Sequence, residues 1–254
     1  MRFAKVVFLS LVASPLTQLS AAYGQQDLSA RLRTALPIII TRDISADNAH
    51  VGDVIYAKTT QRSELPNGIS VPYRTRVLGH VVSTSGPVKR NKLVYDDVAP
   101  MSSLAVRFDS IQLADETLPI NAYVRAMADP FESDGARTPQ LGDMDPQSTT
   151  TQIGGDLLTP SQKDVLGEDG RVVGHNLRHG IYARLRENGS CTGTKVEVSV
   201  GIYSGAACGL YGFAEVNATG VGTPNSRGVS LTSLKATARV MRYSTALLEV
   251  TSEQ

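Results

Sequence analysis

The sequence predicts an all-β protein of two small β-barrel or β-sandwich halves, with at most a short N-terminal helix. Three observations predict this class. Apolar and polar residues alternate in several runs, most regularly over 104–113. Turn signals separate these runs at intervals of about 8–12 residues. No long helical period occurs after residue 36, and 22 glycines are available for tight turns and bulges.

The first half of the chain contains the clearest strand patterns. Residues 27–32 fit either a short helix or the approach to a strand, because an isoleucine run follows Pro37 at once. The Asn-Gly pair at 67–68 is typical of a hairpin turn. In 104–113, simple alternation places Leu104 and Phe108 on one face of the strand and Ile111 on the other. A twist or bulge in the strand would change which face the later side chains occupy. Further strands are expected over 54–58, 74–82 and 118–126.

The composition changes between residues 130 and 162, which predicts the organisation of the chain. This stretch is rich in Pro, Gly, Ser and Thr and poor in large apolar residues, as in a linker or long loop. We therefore expect a signal segment at 1–24, an N-terminal β-domain at 25–129, the linker at 130–162 and a C-terminal β-domain at 163–254. Later strands are expected over 171–175, 181–185, 195–200, 212–216, 229–233, 236–243 and 247–250.

The N-terminal residues have the pattern of a secretory signal. Two basic residues precede an apolar run of about eight residues, too short to span a membrane, and small residues follow it. Cleavage fits after either Ala22 or Gly24. The sequence thus predicts a periplasmic or extracellular protein with no transmembrane segment after cleavage.

The remaining composition limits the function classes. The 25 basic and 24 acidic residues nearly cancel, so nucleic acid is not an expected partner. The absence of Trp leaves few stacking platforms for sugars. Cys191 and Cys208 are the only cysteines, and in an exported chain such a pair is expected to form a disulfide. No cofactor motif is present.

A series of short motifs occurs in a recognisable order over 51–126. The motifs are Gly52-Asp53-Val54, Pro66-Asn67-Gly68, Val71-Pro72, then Thr75, Val77, Gly79 and Val81, and finally 104–111. This order is similar to that of the TrbI-like β-barrel domain in the outer-membrane core complex of type IV secretion machines, which implies a barrel. Tyr73-Arg74 departs from the pattern, because a Gly would follow Pro72-x there. The helix and the proline-rich arm of those machines are not evident.

The second half contains a different box, in which Tyr203-Ser204-Gly205 leads through Cys208 to Tyr211-Gly212-Phe213. This box resembles a family of uncharacterised secreted bacterial β-proteins, and the resemblance implies no activity. Tyr203, Tyr211 and Phe213 are candidates for an exposed aromatic binding patch, and packing in the core is the alternative.

Two further clusters are candidates for chemistry. His175 and His179 flank a turn and could bind zinc if Glu168 or Asp169 supplied another ligand; the alternative is two polar turn residues. Cys208 could be a nucleophile with His179 as its base, as in an envelope hydrolase or transpeptidase, but a disulfide would block this.

The sequence favours an exported structural or interaction protein of the bacterial cell envelope, without catalytic activity. Such a protein would present a β surface or a strand edge to an envelope protein partner. The alternatives are a glycan or small-ligand binding module and the cysteine enzyme. The oligomeric state is not predicted.

Overall fold

The computed structural model describes residues 33–86, 101–114, 116–138, 148–224, 226 and 228–252. The signal segment, its two cleavage sites and the helix or strand expected over 27–32 lie outside these residues. In chain order, the elements are β1 (Arg33–Ile40), β2 (Ile44–Ser45), β3 (Val54–Thr59), β4 (Ser63–Glu64), β5 (Ser70–Val71), β6 (Arg76–Ser85), β7 (Ser102–Leu113), β8 (Glu116–Pro119), β9 (Asn121–Ala128), α1 (Pro130–Gly135), β10 (Thr150–Thr151), β11 (Leu157–Leu158), β12 (Asp164–Leu166), β13 (Val172–Leu177), β14 (Gly180–Arg184), β15 (Glu197–Ser199), β16 (Gly209–Tyr211), β17 (Val216–Thr219), β18 (Val229–Ser233), β19 (Arg239–Val240) and β20 (Thr245–Thr251).

The predicted all-β class is confirmed. The largest sheet has ten strands and curls into a nearly closed barrel, in the order β16-β9-β20-β1-β3-β6-β7-β18-β17, with β8 also paired to β7. All neighbours are antiparallel except β16 and β9. A six-stranded sheet, β10 to β15, lies beside it, and two short two-stranded sheets pair β19 with β2 and β4 with β5.

The barrel interior is the main hydrophobic core. It is filled by alternate residues of the long strands, such as Leu36 and Ile38 of β1 and Leu104 and Val106 of β7, all fully or almost fully buried. On β7 the alternation breaks after Phe108, where the β6–β7 register shifts and Ile111 enters the core. The alternation of buried side chains therefore shifts by one residue, as expected, and a β-bulge causes the shift.

The barrel crosses the expected boundary between the two halves. β18 pairs with β7, and β20 lies between β1 and β9, so strands from 163–254 complete a sheet that begins in 25–129. The expected linker contributes α1 and the first two strands of the six-stranded sheet. Strand β20 crosses the boundary because β1 and β9 each have an unpaired edge until this late strand pairs with both.

A second core joins the six-stranded sheet to the barrel. Ala35 and Ala126 face outward from barrel strands and contact apolar residues of the other sheet, among them Ala183 and Val198. Tyr203 is also buried here, at 1% exposure. The small alanine side chains let the two layers approach closely, so the two sheets share one interface.

Cys191 and Cys208 form the predicted disulfide, with their Cα atoms 6.0 Å apart. The bond packs against the backbone of Gly222, whose N–H donates to the carbonyl of Val124 on β9. A Cβ at Gly222 would lie 2.8 Å from Cys191 Sγ, closer than packed side chains approach. The close approach therefore requires glycine at this position.

Arg125 on β9 is completely buried and ties the disulfide loop to the barrel. Its guanidinium donates to the carbonyl oxygens of Thr192 (2.6 Å) and Ala207 (3.0 Å), the residues next to the two cysteines. It also donates to the carbonyls of Arg186 and Gly205. One side chain thus satisfies four backbone acceptors that belong to no strand pair.

The charge of Arg125 is balanced by Glu249 on β20, which is 1% exposed. Arg125 Nη1 lies 3.3 Å from Glu249 Oε2, and Arg33 Nη1 lies 3.3 Å from Glu249 Oε1. Arg125 therefore uses all its donor groups and each oxygen of Glu249 accepts one bond from an arginine, so the buried charges are paired and hydrogen-bonded.

Candidate cationic pocket

A cavity of about 480 Å³ opens where β1 and β3 end, and four basic side chains line it. Strand β1 contributes its last two residues and β3 contributes Lys58 and Thr59, while the rest of the wall comes from loops. The four basic residues are Lys58, Arg74, Arg137 and Arg242. None of the described residues that line the cavity is acidic.

Two turns of matching construction form the rim. The turn Pro72–Thr75 is closed by the Thr75 N–H on the carbonyl of Pro72 (3.4 Å), and the turn Met241–Ser244 is closed in the same way at 3.1 Å. The central residues are Tyr73-Arg74 in the first turn and Arg242-Tyr243 in the second. Each turn therefore presents one arginine and one tyrosine to the cavity.

The third residue of each turn has a left-handed backbone. The φ angle is 65° at Arg74 and 72° at Tyr243. A turn of this kind favours glycine at that position, since a side chain there costs about 1–2 kcal/mol. Backbone strain of this kind clusters at functional sites, where the side chain is needed in spite of the cost.

Backbone hydrogen bonds hold both turns against the barrel. The N–H of Arg74 donates to the carbonyl of Thr59 (3.0 Å), and the N–H of Tyr243 donates to the carbonyl of Ile40 (2.9 Å). The buried hydroxyl of Thr59 donates to the carbonyl of Pro72 (2.7 Å) and accepts from the N–H of Thr75 (2.9 Å). The side chains at the rim are thus carried by a preorganised backbone.

The four cations are available to a ligand. None of them forms an ion pair within the described part of the chain. The guanidinium of Arg242 lies over the ring of Tyr243, 4.6 Å from its centroid, which holds it at the rim without neutralising it. Guanidinium groups bind phosphate and carboxylate through paired N–H donors, so this cavity is suited to an anion.

His175 and His179, the candidates for zinc binding, belong to the β13–β14 hairpin. His175 lies on β13, with Nδ1 2.9 Å from Glu197 Oε1 and Nε2 3.8 Å from Asp164 Oδ1. His179 is exposed in the two-residue turn between β13 and β14, beyond the end of the strand that carries His175. Among the residues that the structure describes, no group of three or more His, Cys, Asp or Glu is arranged to hold a metal ion.

The alternative of a cysteine nucleophile meets an obstacle in the structure. Cys208 is joined to Cys191, so its sulfur is in a disulfide and not in a thiolate. The N–H of Cys208 donates to the hydroxyl of Tyr211 (3.1 Å), which fixes the backbone beside the bond.

The three aromatic candidates do not form one exposed patch. Tyr203 is buried in the second core, its hydroxyl lies 2.8 Å from Thr245 Oγ1, and burial raises its pKa above the ordinary value. Tyr211 is half-buried on β16, and Phe213 packs from the side against the barrel core. For Tyr203, the alternative prediction of packing in the core is therefore confirmed.

Sequence reasoning did not identify the cationic pocket, because its parts come from five separate segments. One signal was available. Tyr73-Arg74 departs from the pattern that the first half resembles, in which glycine follows Pro72-x, and Arg74 has a left-handed backbone, which favours glycine. This departure was the local sign that the turn is unusual.

Within the described residues, no helix has the length and apolar character needed to cross a bilayer. Comparison of the chain with models of protein families, with curated proteins and with solved structures finds no match. The fold and the site therefore define the class directly: an all-β protein with a nearly closed barrel, one disulfide and a cationic pocket at the end of the barrel.

Proposed function

We propose that this protein is an exported, non-catalytic binding protein of the bacterial cell envelope, and that the cationic pocket takes an anionic ligand. The observation that carries the proposal is the convergence of four cations on one cavity: within the described residues, none of the four forms an ion pair and no acidic residue lines the wall. The whole chain is nearly neutral, with 25 basic and 24 acidic residues, so this local excess is not a reflection of overall charge.

Export is supported by two independent features. The N-terminal residues have the three parts of a secretory signal. The disulfide between Cys191 and Cys208 is of a type that persists in oxidising compartments. Both features support the proposed periplasmic or extracellular location.

The site favours binding over catalysis. Its wall offers fixed positive charge, tyrosine rings and threonine hydroxyls, which hold an anion but supply no base that titrates near neutral pH. The alternative enzyme would need a free thiol at Cys208, and that sulfur is bonded to Cys191.

Docking of an envelope protein is a second candidate function, and β17 favours it. This strand ends the ten-stranded sheet and pairs only with β18, so its other edge has no strand partner among the described residues. A partner could extend the sheet there by main-chain hydrogen bonds. Co-purification with a crosslinkable residue introduced at Asn217 would test this.

Calorimetric titration of the exported chain with pyrophosphate tests the pocket. We expect binding that weakens with ionic strength and falls about tenfold in Arg74→Gln and again in Arg242→Gln, because each change removes a charge-assisted contact. Arg178→Gln is the matched control, since Arg178 is exposed in the turn between β13 and β14 and forms no ion pair in the described chain. Equal affinity of all variants, or no binding at all, would reject the proposal.

A further inference from the structure

We infer that the anionic ligand is the phosphate headgroup of a lipid, so that the barrel end with the cationic pocket docks on an anionic membrane surface. This inference rests on the proposed function and names the source of the anion. It comes from the distribution of exposed aromatic side chains, which the anion site alone does not explain.

The exposed aromatic residues are concentrated at this end of the barrel. Among the described residues, only four aromatic side chains are classed as exposed: Tyr56 (38%), Tyr73 (61%), Phe131 (83%) and Tyr243 (51%). Tyr73 and Tyr243 stand on the rim of the pocket itself. In a chain with only 14 Tyr and Phe and no Trp, two of these four exposed rings therefore stand at the cationic pocket.

The other two aromatic residues are connected to the same rim. The carbonyl of Tyr56 accepts the N–H of Thr41 (2.8 Å), and Thr41 lines the pocket. Phe131 begins α1 next to Pro130, which borders a neighbouring cavity together with Arg242, while the Phe131 ring itself lines a separate cavity with Glu132 and Ile153. Phe131 is also the most exposed large apolar side chain in the described chain.

Additional basic residues extend the charge across this face. Arg42 stacks on the ring of Tyr56, 4.9 Å from its centroid. Arg239 borders the neighbouring cavity beside Arg242 and is exposed. Asp43 borders that cavity as well and accepts the N–H of Arg242 (2.6 Å). Cations and aromatic rings are thus neighbours at the two turns of the rim and in the Arg42–Tyr56 stack.

This combination of exposed rings and cations is better suited to contact a bilayer interface than to bind a soluble anion. Exposed Phe and Tyr rings are poorly placed in water, whereas at the headgroup level the ring enters the apolar boundary and the phenol hydroxyl stays hydrated. Basic side chains beside them are attracted by the negative surface potential of anionic lipids. A soluble phosphate would use the cations and leave Phe131 without a role.

Co-flotation of the exported chain with lipid vesicles tests the inference. We expect binding to vesicles that contain phosphatidylglycerol in phosphatidylcholine, and none to phosphatidylcholine alone. Removal of one pocket cation is expected to weaken binding about fivefold, and the double change Arg74→Gln with Arg242→Gln about 25-fold. Arg178→Gln is the control and should bind as the parent does.

An aromatic variant separates the membrane from a soluble anion. Phe131→Ala is expected to weaken vesicle binding about tenfold and to leave pyrophosphate binding unchanged, because the ring contacts only the bilayer. Leu177→Ala, which changes an exposed apolar residue on the six-stranded sheet, is the matched control.

The outcomes are distinguishable. Pyrophosphate binding without vesicle binding would overturn the lipid inference and leave the proposed function intact. Loss of both would reject both. Vesicle binding that the two arginine changes leave unaltered would show that the membrane contact lies elsewhere, and it would also overturn the inference.

Discussion

Replacement of Arg125 by methionine tests how the disulfide loop is held on the barrel. Methionine has a similar length and fits the apolar part of the site, but it cannot donate a hydrogen bond. The change removes the Arg125 donor from the carbonyls of Thr192, Ala207 and Arg186, while the carbonyl of Gly205 keeps the backbone N–H of Arg186. It also leaves Glu249 buried with only Arg33 as an ionic partner.

The expected loss of stability is about 4 kcal/mol. Removal of one member of a buried ion pair costs about 3–5 kcal/mol, because the remaining charge keeps its desolvation cost. Domains of this size have unfolding free energies of about 5–15 kcal/mol. Arg125→Met should therefore unfold at far lower urea concentration than the parent.

Urea unfolding followed by circular dichroism, with the disulfide intact, measures the effect. Arg33→Met is the matched control, since its side chain faces the same carboxylate but is 35% exposed, and a loss of at most about 1 kcal/mol is expected. Arg125→Met combined with Glu249→Leu should recover part of the loss, because no buried charge remains. A single Arg125→Met variant within about 1 kcal/mol of the parent would refute this reasoning.

Three further predictions follow from the same structure. Reduction of the bond between Cys191 and Cys208, which are 17 positions apart, should lower the unfolding free energy by about 3 kcal/mol, and titration of the untreated protein should find no free thiol in urea. Arg74→Gly should stabilise the fold by up to about 1 kcal/mol by relieving the left-handed backbone, while anion binding weakens; a stability loss would show that the backbone there is not strained. Burial raises the pKa of Tyr203, so the neutral phenol stabilises the fold below about pH 10 and this contribution declines as pH rises further. Tyr203→Phe should make urea midpoints less sensitive to pH above about pH 10, and an unchanged slope would contradict the assignment.

Strands were predictable where one face is buried. Residues 229–233 form β18 with the expected bounds, and the isoleucine run after Pro37 ends β1. The pattern works because burial on one side imposes a period of two on the sequence. Where burial is partial, the prediction was wrong: 236–243 contains only the two-residue strand β19, and 212–216 is mostly loop between β16 and β17.

The pairing of strands was not predictable in the same way. Strand β20 was expected as the last strand of a C-terminal half, but it lies between β1 and β9. Alternation reports which side of a strand is buried and carries no information about its neighbours, since the backbone hydrogen bonds are the same for any partner. Closure of the barrel selects the partner, and it involves the whole chain.

The cationic pocket shows the same limit at the level of function. Arg74 and Arg242 are far apart in sequence, and each one alone is an ordinary surface residue. They meet because β1 pairs with β3 and β20 and β3 pairs with β6, which brings the turns that precede β6 and β20 to one end of the barrel.

The amino-acid sequence by itself determined the β class, the positions of the long strands and the cysteine pair, because these depend on local periodicity, turn residues and composition. Only the tertiary structure decided which strands share the barrel, that Tyr203 is a core residue, and that four cations surround one cavity. These features depend on contacts between distant segments, whose free energy is set by packing in three dimensions and leaves no periodic trace along the chain.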